Sequence, residues 1–321
     1  MNRPLGAQRG FSMVELMVAI TIGLILTAGV LELFANNKNA YRVDASLARV
    51  QESGRMALDS MANDIRMAGY WGCQPSLAKV KNDLNAAGTG YINFGLGALG
   101  GSEGGGAPDS ITLRGADSTP GLVPQPNAGG GTTYNPSTSA APRVAANTFN
   151  TNDIVLVSDC TGGDFFQVTG TGADALGGFD INHANGGGSP GNSTAAFAHV
   201  YAGDANIYYA HQIQYYVATK GASSGVSTVD GQSALWRSVN GSDQELVDDV
   251  TDLQIWYGED MNGDRSVDRY VQANAPPNFA NVYSVKIQVT VQTADASTSV
   301  TAGTRIKHTF STVVAIRNRV L

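Results

Sequence analysis

Gly10-Phe11-Ser12-Met13-Val14-Glu15-Leu16 opens an apolar run that lasts to Phe34, and the reading of this stretch decides how the chain is built. Before it stands a ten-residue leader with two positive charges, Arg3 and Arg9, and no acid. Phe11 to Phe34 is 24 residues, about 36 Å as a helix at ~1.5 Å per residue. That is enough to span a hydrocarbon core of about 30 Å. A secretory signal would have a small-x-small cleavage site after its apolar segment, but Glu32-Leu33-Phe34-Ala35-Asn36 stands there. The reading therefore puts the cut before the run, at Gly10/Phe11, and keeps the run in the mature protein. Arg3 and Arg9 favour a cytoplasmic N-terminus, so that everything after residue 35 lies outside the cytoplasm. Glu15 is the fifth residue after the junction. A carboxylate near the centre of a membrane helix costs about 2.5–3.5 kcal/mol on insertion scales and calls for a partner. The plainer alternative is a signal anchor in which Glu15 sits near the interface.

The chain has 321 residues, with 20 Lys+Arg against 27 Asp+Glu. Removing residues 1–10 takes away two Arg, which leaves 18 against 27 and moves the formal charge from −7 to −9. That balance disfavours nonspecific nucleic-acid binding, which depends on neutralising phosphates. The part beyond the apolar run, about 285 residues, can bury one sizeable core. The whole chain has 39 Gly and only 15% charged residues, which suits a β-rich extracytoplasmic domain with long loops. The two cysteines, Cys73 and Cys160, form an even count and outside the cytoplasm suggest one disulfide. The alternative is a pair of free thiols.

Leu47, Val50, Gly54, Leu58, Met61, Ile65 and Ala68 recur at spacings of three and four, a stripe on one helix face. Arg55 and Asp59 are spaced as an i,i+4 pair. No proline interrupts 11–68, so a single helix of almost 60 residues is expected, ending near Gly69-Tyr70-Trp71-Gly72-Cys73. From residue 74 the period becomes two. Strands are expected at Ser110–Arg114, Ile154–Ser158, Phe165–Thr169, Ile207–Ala218, Ala234–Val239, Leu253–Tyr257, Tyr283–Thr293 and Lys307–Arg317. Low-complexity tracts at about 86–106, 127–142 and 170–194 read as loop insertions.

The Gly10-Phe11…Glu15 junction resembles the class III leader of type IV pilins and type II secretion pseudopilins. In that family a prepilin peptidase cuts after the glycine and N-methylates the new terminal residue. The resemblance thus implies cleavage after Gly10, methylation at Phe11, and pairing of Glu15 with the N-terminal amine of a neighbouring subunit. Such a pair relieves the desolvation of both charges and sets register between subunits. The segment Glu245–Gly258, the Asp-rich loop after it, the Val282–Val291 strand and the block Thr309–Arg319, with Gly69-Tyr70-Trp71-Gly72-Cys73, look like a minor pilin of the PilW type. That resemblance covers roughly 11–75 and 245–321. It implies an α+β type IV pilin fold: a long N-terminal helix packed on a predominantly antiparallel β-sheet with long loop insertions. The expected parts are a leader at 1–10, a membrane and assembly half-helix at 11–34, an amphipathic periplasmic half-helix at 35–72 and a β-rich domain at 73–321.

Asp260-Met261-Asn262-Gly263-Asp264-Arg265-Ser266-Val267-Asp268 places oxygen ligands at alternate positions, as the first half of an EF-hand-type calcium loop does. Side chains of Asp260, Asn262, Asp264 and Asp268, with the Ser266 carbonyl, would be the ligands of a structural Ca²⁺. The expected turn glycine is replaced by Arg265, and Val271 stands where a bidentate acid belongs, so an Asx-rich hairpin turn is the competing reading. Gly95-Leu96-Gly97-Ala98-Leu99-Gly100 fits a dinucleotide fingerprint, and Gly221-Ala222-Ser223-Ser224-Gly225 fits a nucleophile elbow, but each needs a following helix. A Gly-rich stretch follows the first and a Gly/Ser/Thr stretch the second, so both read as loops. His183, His199, His211 and His308 have no metal-ligand or triad spacing.

No enzyme and no required cofactor are therefore expected. The resemblance implies a minor pilin that helps to initiate type IV pilus assembly in a tip or priming complex. Its implied partners are the prepilin peptidase, other minor pilins, the major pilin and a large tip adhesin. It would sit in the inner membrane before assembly, as a single pass with a periplasmic domain, and at the pilus tip afterwards. The alternatives are a type II secretion pseudopilin, or a pilus-tip adhesin or DNA-uptake binding subunit.

Overall fold

The structure is a computed structural model that describes residues 12–74, 76–117, 143–144, 148–173, 179–197, 199, 201, 205–219, 233–275, 277–294 and 304–320. Gly10, Phe11, the tract 127–142 and Gly221–Gly225 lie outside them. The chain forms two units, Met1–Gln51 with Thr293–Ile306, and Glu52–Gln292 with Lys307–Leu321.

The first unit holds the start of α1, the helix Met13–Met67 of 55 residues. Its other segment is closed by Thr293 N–H donating to Ile306 O at 2.9 Å. An unbroken run of helix-compatible residues explains the length of α1. Gly69, at φ +77°, ends it, because a left-handed residue after the last turn suits glycine.

In the second unit the last turns of α1 carry the apolar stripe into the core, with Ala57, Met61 and Ile65 fully buried. Leu58, expected on that stripe, is only half-buried, and Ala57 takes its place one residue earlier. Arg55 pairs with Glu52 at 3.0 Å, not with Asp59 as its closest partner. Both members are exposed, so the pair adds little stability.

Among the described residues fifteen strands follow: β1 (Val80–Asn82), β2 (Leu99–Ser102), β3 (Ser110–Ala116), β4 (Arg143–Val144), β5 (Ile154–Ser158), β6 (Gly163–Gln167), β7 (Gly170–Ala173), β8 (Phe179–Asn182), β9 (Asn206–Thr219), β10 (Ser233–Val239), β11 (Ser242–Asp248), β12 (Val250–Glu259), β13 (Arg269–Val271), β14 (Val282–Gln292) and β15 (Lys307–Ala315). A four-residue helix, α2 (Arg317–Val320), ends the chain's described part. The largest sheet runs β1-β6-β5-β9-β10-β11, with β3 also on β9 and β2 on β3. A second runs β13-β12-β14-β15 and a third β4-β8-β7. Among the described residues every ladder is antiparallel except β1 with β6. β14 shows the alternation expected of one buried and one wetter face: Val285, Ile287, Val289 and Val291 are buried, while Lys286, Gln288 and Thr290 are half-exposed. β5 and β6 are buried on both faces, and their inner residues Val155, Val157 and Phe166 pack with Phe149, Ile181 and Phe197.

This is the expected α+β arrangement, a long N-terminal helix with a predominantly antiparallel sheet. The tracts 86–106 and 170–194 are not loops throughout, since β2, β7 and β8 lie inside them. Glycines hid β2 and β7, because a glycine contributes backbone hydrogen bonds to a ladder but no side-chain period. The last strand stops at Ala315, and Arg317, expected as its final residue, opens α2 instead.

Candidate functional site

The N-terminal end of α1 is a helix start built for itself. Ser12 Oγ accepts from Glu15 N–H at 3.2 Å, and Ser12 O accepts from Leu16 N–H at 3.1 Å. A Ser followed three residues later by Glu has the capping-box spacing, which supplies a partner to an amide that no helical carbonyl can reach. The signal was present in the sequence. Past the cap, Met13, Leu16, Met17, Ile20, Leu24 and Ile25 are all exposed, as are the large apolar residues on to Phe34. By length and composition α1 can cross a membrane. Thr21 and Thr27 turn their hydroxyls onto the helix's own carbonyls, Val18 O at 2.9 Å and Gly23 O at 2.7 Å. Glu15 is exposed among these apolar side chains.

The other end of α1 is fixed to the sheets by polar contacts that sequence reasoning missed. Asp64 Oδ2 accepts from Tyr215 Oη at 2.7 Å and from Arg237 Nε at 2.8 Å, while Ser60 Oγ lies 3.1 Å from the same Tyr215 hydroxyl. Burial, then the charge of Asp64, raises the Tyr215 pKa well above the ordinary phenol value. Asn318 Nδ2 donates to Met67 O and Ala68 O at 3.2 and 3.3 Å, filling carbonyls that the helix leaves open. Arg319 Nη1 donates to Val282 O at 2.9 Å and to Phe279 O. Gly54 receives the ring of Phe310 from β15 so closely that a Cβ there would lie 2.2 Å from Cδ2.

Cys73 and Cys160 are exposed and carry no disulfide in the structure, and their chain neighbours Gln74 and Asp159 are joined by a hydrogen bond of 2.6 Å. Burial of the sulfur, then the contact with Cys160, pushes the Cys73 thiol up to about 12.

The Asp-rich loop between β12 and β13 is held by its own side chains. Asp260 is buried. Its Oδ1 accepts from Asn262 and Gly263 N–H at 3.0 and 2.7 Å, and its Oδ2 from Arg265 N–H at 2.8 Å. Asn262 Oδ1 accepts from Asp264 N–H at 2.8 Å, and Asp264 Oδ1 from the Ser266 amide and hydroxyl at 2.8 and 2.6 Å. Asp268 Oδ2 accepts from Met261 N–H at 2.7 Å. The Ser266 hydroxyl holds the Asp264 carboxyl below its ordinary range. Asn262 Nδ2 reaches both Asp264 Oδ2 and Asp268 Oδ1, at 3.2 and 3.4 Å, so three of the four side chains named from sequence meet, while Asp260 is engaged by backbone amides. Among the described residues no group of three or more His, Cys, Asp or Glu is arranged to hold a metal ion.

Two other places resemble catalytic chemistry. His199 Nε2 lies 2.9 Å from Asp159 Oδ2 and 3.0 Å from Thr161 Oγ1. One ring nitrogen meets both partners, whereas a nucleophile–base–acid relay needs opposite nitrogens. The Gly95–Gly100 fingerprint leads into β2, not into a helix, so it lacks the helix N-terminus that a phosphate requires. A cleft of about 640 Å³ lies beside the end of α1, and its lining includes the Asp64–Arg237 ion pair and the His211 ring, whose Nδ1 lies 3.4 Å from Asp117.

Residues 5–31 match the family model of the prokaryotic N-terminal methylation motif, and residues 214–318 match that of the type IV pilus-assembly protein W. Neither a curated protein nor a solved structure matches the chain. The first match spans the leader junction and the exposed apolar helix. The second runs from within β9 through β10 to β15 and reaches Asn318, which caps α1.

Proposed function

We propose that this PilW-type pilin is a minor pilin, a non-catalytic subunit that helps to start type IV pilus assembly in a priming or tip complex. The observation that carries the reading is the methylation motif at 5–31 running into a capped helix with its apolar surface exposed and Glu15 set within it. In this reading a prepilin peptidase cuts between Gly10 and Phe11 and methylates Phe11. The apolar half of α1 then holds the protein in the inner membrane, N-terminus cytoplasmic and β-domain periplasmic.

Assembly takes the helix out of lipid and places it among other pilin helices. Glu15 pairs with the N-terminal amine of a neighbour, a group of pKa about 7.7–8 and so cationic at neutral pH. Each charge offsets the other's desolvation, and the pair sets register more than it adds net stability. The partners are other minor pilins and the major pilin, with a large tip adhesin in the same complex. An acidic mature chain of formal charge −9 (18 Lys+Arg against 27 Asp+Glu) makes nucleic acid an unfavourable partner. A structural Ca²⁺ at Asp260, Asn262, Asp264, Ser266 and Asp268 belongs to the same proposal as a stiffener of the β12–β13 loop.

Mass spectrometry of the membrane-extracted protein, with incorporation measured in sheared fibres, tests the reading. Glu15→Ala is expected to be cleaved, methylated and membrane-held but poorly incorporated. Incorporation equal to that of the parent would refute the charge-pairing role. If loss of the gene leaves pili intact and stops the export of extracellular enzymes, the secretion pseudopilin takes the place of this reading.

A further inference from the structure

Cys73 and Cys160 are each flanked by residues that bind the other's neighbours. Gln74 is buried and donates from Nε2 to Asp159 O at 2.6 Å and to Gly162 O at 3.5 Å. Ser158 Oγ donates to Trp71 O at 3.4 Å. Gly72, at φ +70°, brings its backbone so close that a Cβ would stand 2.6 Å from Ser158 Oγ. The segment after α1 is thus held against the β5–β6 turn by contacts that involve no sulfur.

The turn itself is set by Asp159. Its Oδ1 accepts from Thr161 N–H and Oγ1, both at 2.7 Å, and from Gly162 N–H at 2.9 Å. Cys160 lies at the tip of this fixed turn, and both cysteines are exposed to an oxidant.

We propose that Cys73 and Cys160 join as an intrachain disulfide in a site that the fold shapes before the bond forms, and that the bond fastens the exit of α1 to the β5–β6 turn. The inference rests on the extracytoplasmic placement of the domain, where disulfides persist. In the reaction two thiols give up two protons and two electrons. The S–S bond forms by exchange with a disulfide oxidant, which leaves as two thiols.

The experiment uses the full chain, extracted from membranes in detergent, digested with trypsin and mapped without reductant. Residues 67–79 and 144–220 each lie between tryptic sites, and the expected product is these two peptides linked. The reduced protein, treated with oxidised glutathione, is expected to give the same product. Cys73→Ser and Cys160→Ser are each expected to lower the melting temperature by roughly 10 °C, and the double variant by no more than either single one.

Gln74→Ala is expected to slow closure about tenfold, as the loss of one buried hydrogen bond of roughly 1.4 kcal/mol implies. Ser158→Ala repeats this test if Gln74→Ala does not fold. Closure at the parent rate in the folded variant would overturn the preshaping. Two alkylatable thiols after both extraction and glutathione treatment would overturn the bond. A bond that closes in vitro while the protein stays reduced in cells supports the site and counts against the periplasmic placement instead.

Discussion

At Gly54 α1 has no room for an added side chain. The Phe310 ring occupies the space where any side chain would begin, so Gly54→Ala forces a shift of ring or helix. Overpacking of this kind costs about 1–3 kcal/mol, against a gain of at most about 1 kcal/mol from better helix propensity. A lower melting midpoint is expected, and Phe310→Ala in the Gly54→Ala background should restore part of the close packing and show non-additivity. Asp64→Ala leaves Arg237 and the Tyr215 hydroxyl without their acceptor. A loss of about 1–3 kcal/mol follows in the same melting experiment, with Ser60→Ala smaller because its bond to Tyr215 joins two neutral hydroxyls. In the sequence Gly54 reads as one member of an apolar stripe, of which Val50, Met61, Ile65 and Ala68 are also buried. Its partner Phe310 could not be read there, nor Arg237 for Asp64, because such pairings arise from sheet order and not from local spacing. Asn318 was hidden for the same reason: its cap for Met67 and Ala68 depends on where β15 ends.

At the scale of elements, periodicity made α1 and the longer strands legible. β11 was missed although Asn240-Gly241, with φ of 51° and 83°, is the two-residue loop that joins it to β10. The acidic loops bring a pH dependence. Burial works to raise the Asp159 pKa, but hydrogen bonds from Thr161, His199 and Gly162 outweigh it and leave the carboxyl below its ordinary value. Glu259 is lowered by the Asn278 amide and then by Arg269, and Asp264 by Ser266. A carboxyl depressed in the folded state contributes stability above its unfolded pKa, about 3.9 for Asp and 4.3 for Glu. That contribution is lost as pH falls toward the folded value. Melting temperature is therefore expected to hold from pH 7 to about 5 and to fall below about 4. Glu259→Gln should flatten the lower limb, and an unchanged limb would remove Glu259 from the cause. Calcium is tested at the β12–β13 loop by melting with and without the ion. The proposal expects a rise in the parent that Asp264→Ala abolishes, whereas equal midpoints would leave the loop as a set of Asx turns, the hydrogen bonds that it already makes.

For the whole molecule, the leader junction gave the clearest functional signal, because a carboxylate within an exposed apolar helix has few physical explanations. The α+β architecture was legible from the change of period at residue 74, and the PilW match over 214–318 agrees with the C-terminal blocks read from sequence. What the sequence left hidden were the contacts that fix the end of α1 to the β-sheets, each made between segments far apart in the chain. The central claim is that the molecule acts as an assembly subunit: its helix enters the fibre while its sheets meet partner pilins. Surface pilus yield by shearing, in a strain lacking the gene and in the same strain with the gene restored, tests this most directly. The account predicts that pili are lost without the gene and return with the parent chain, but not with Glu15→Ala. Pili of normal yield in the deletion strain would contradict it.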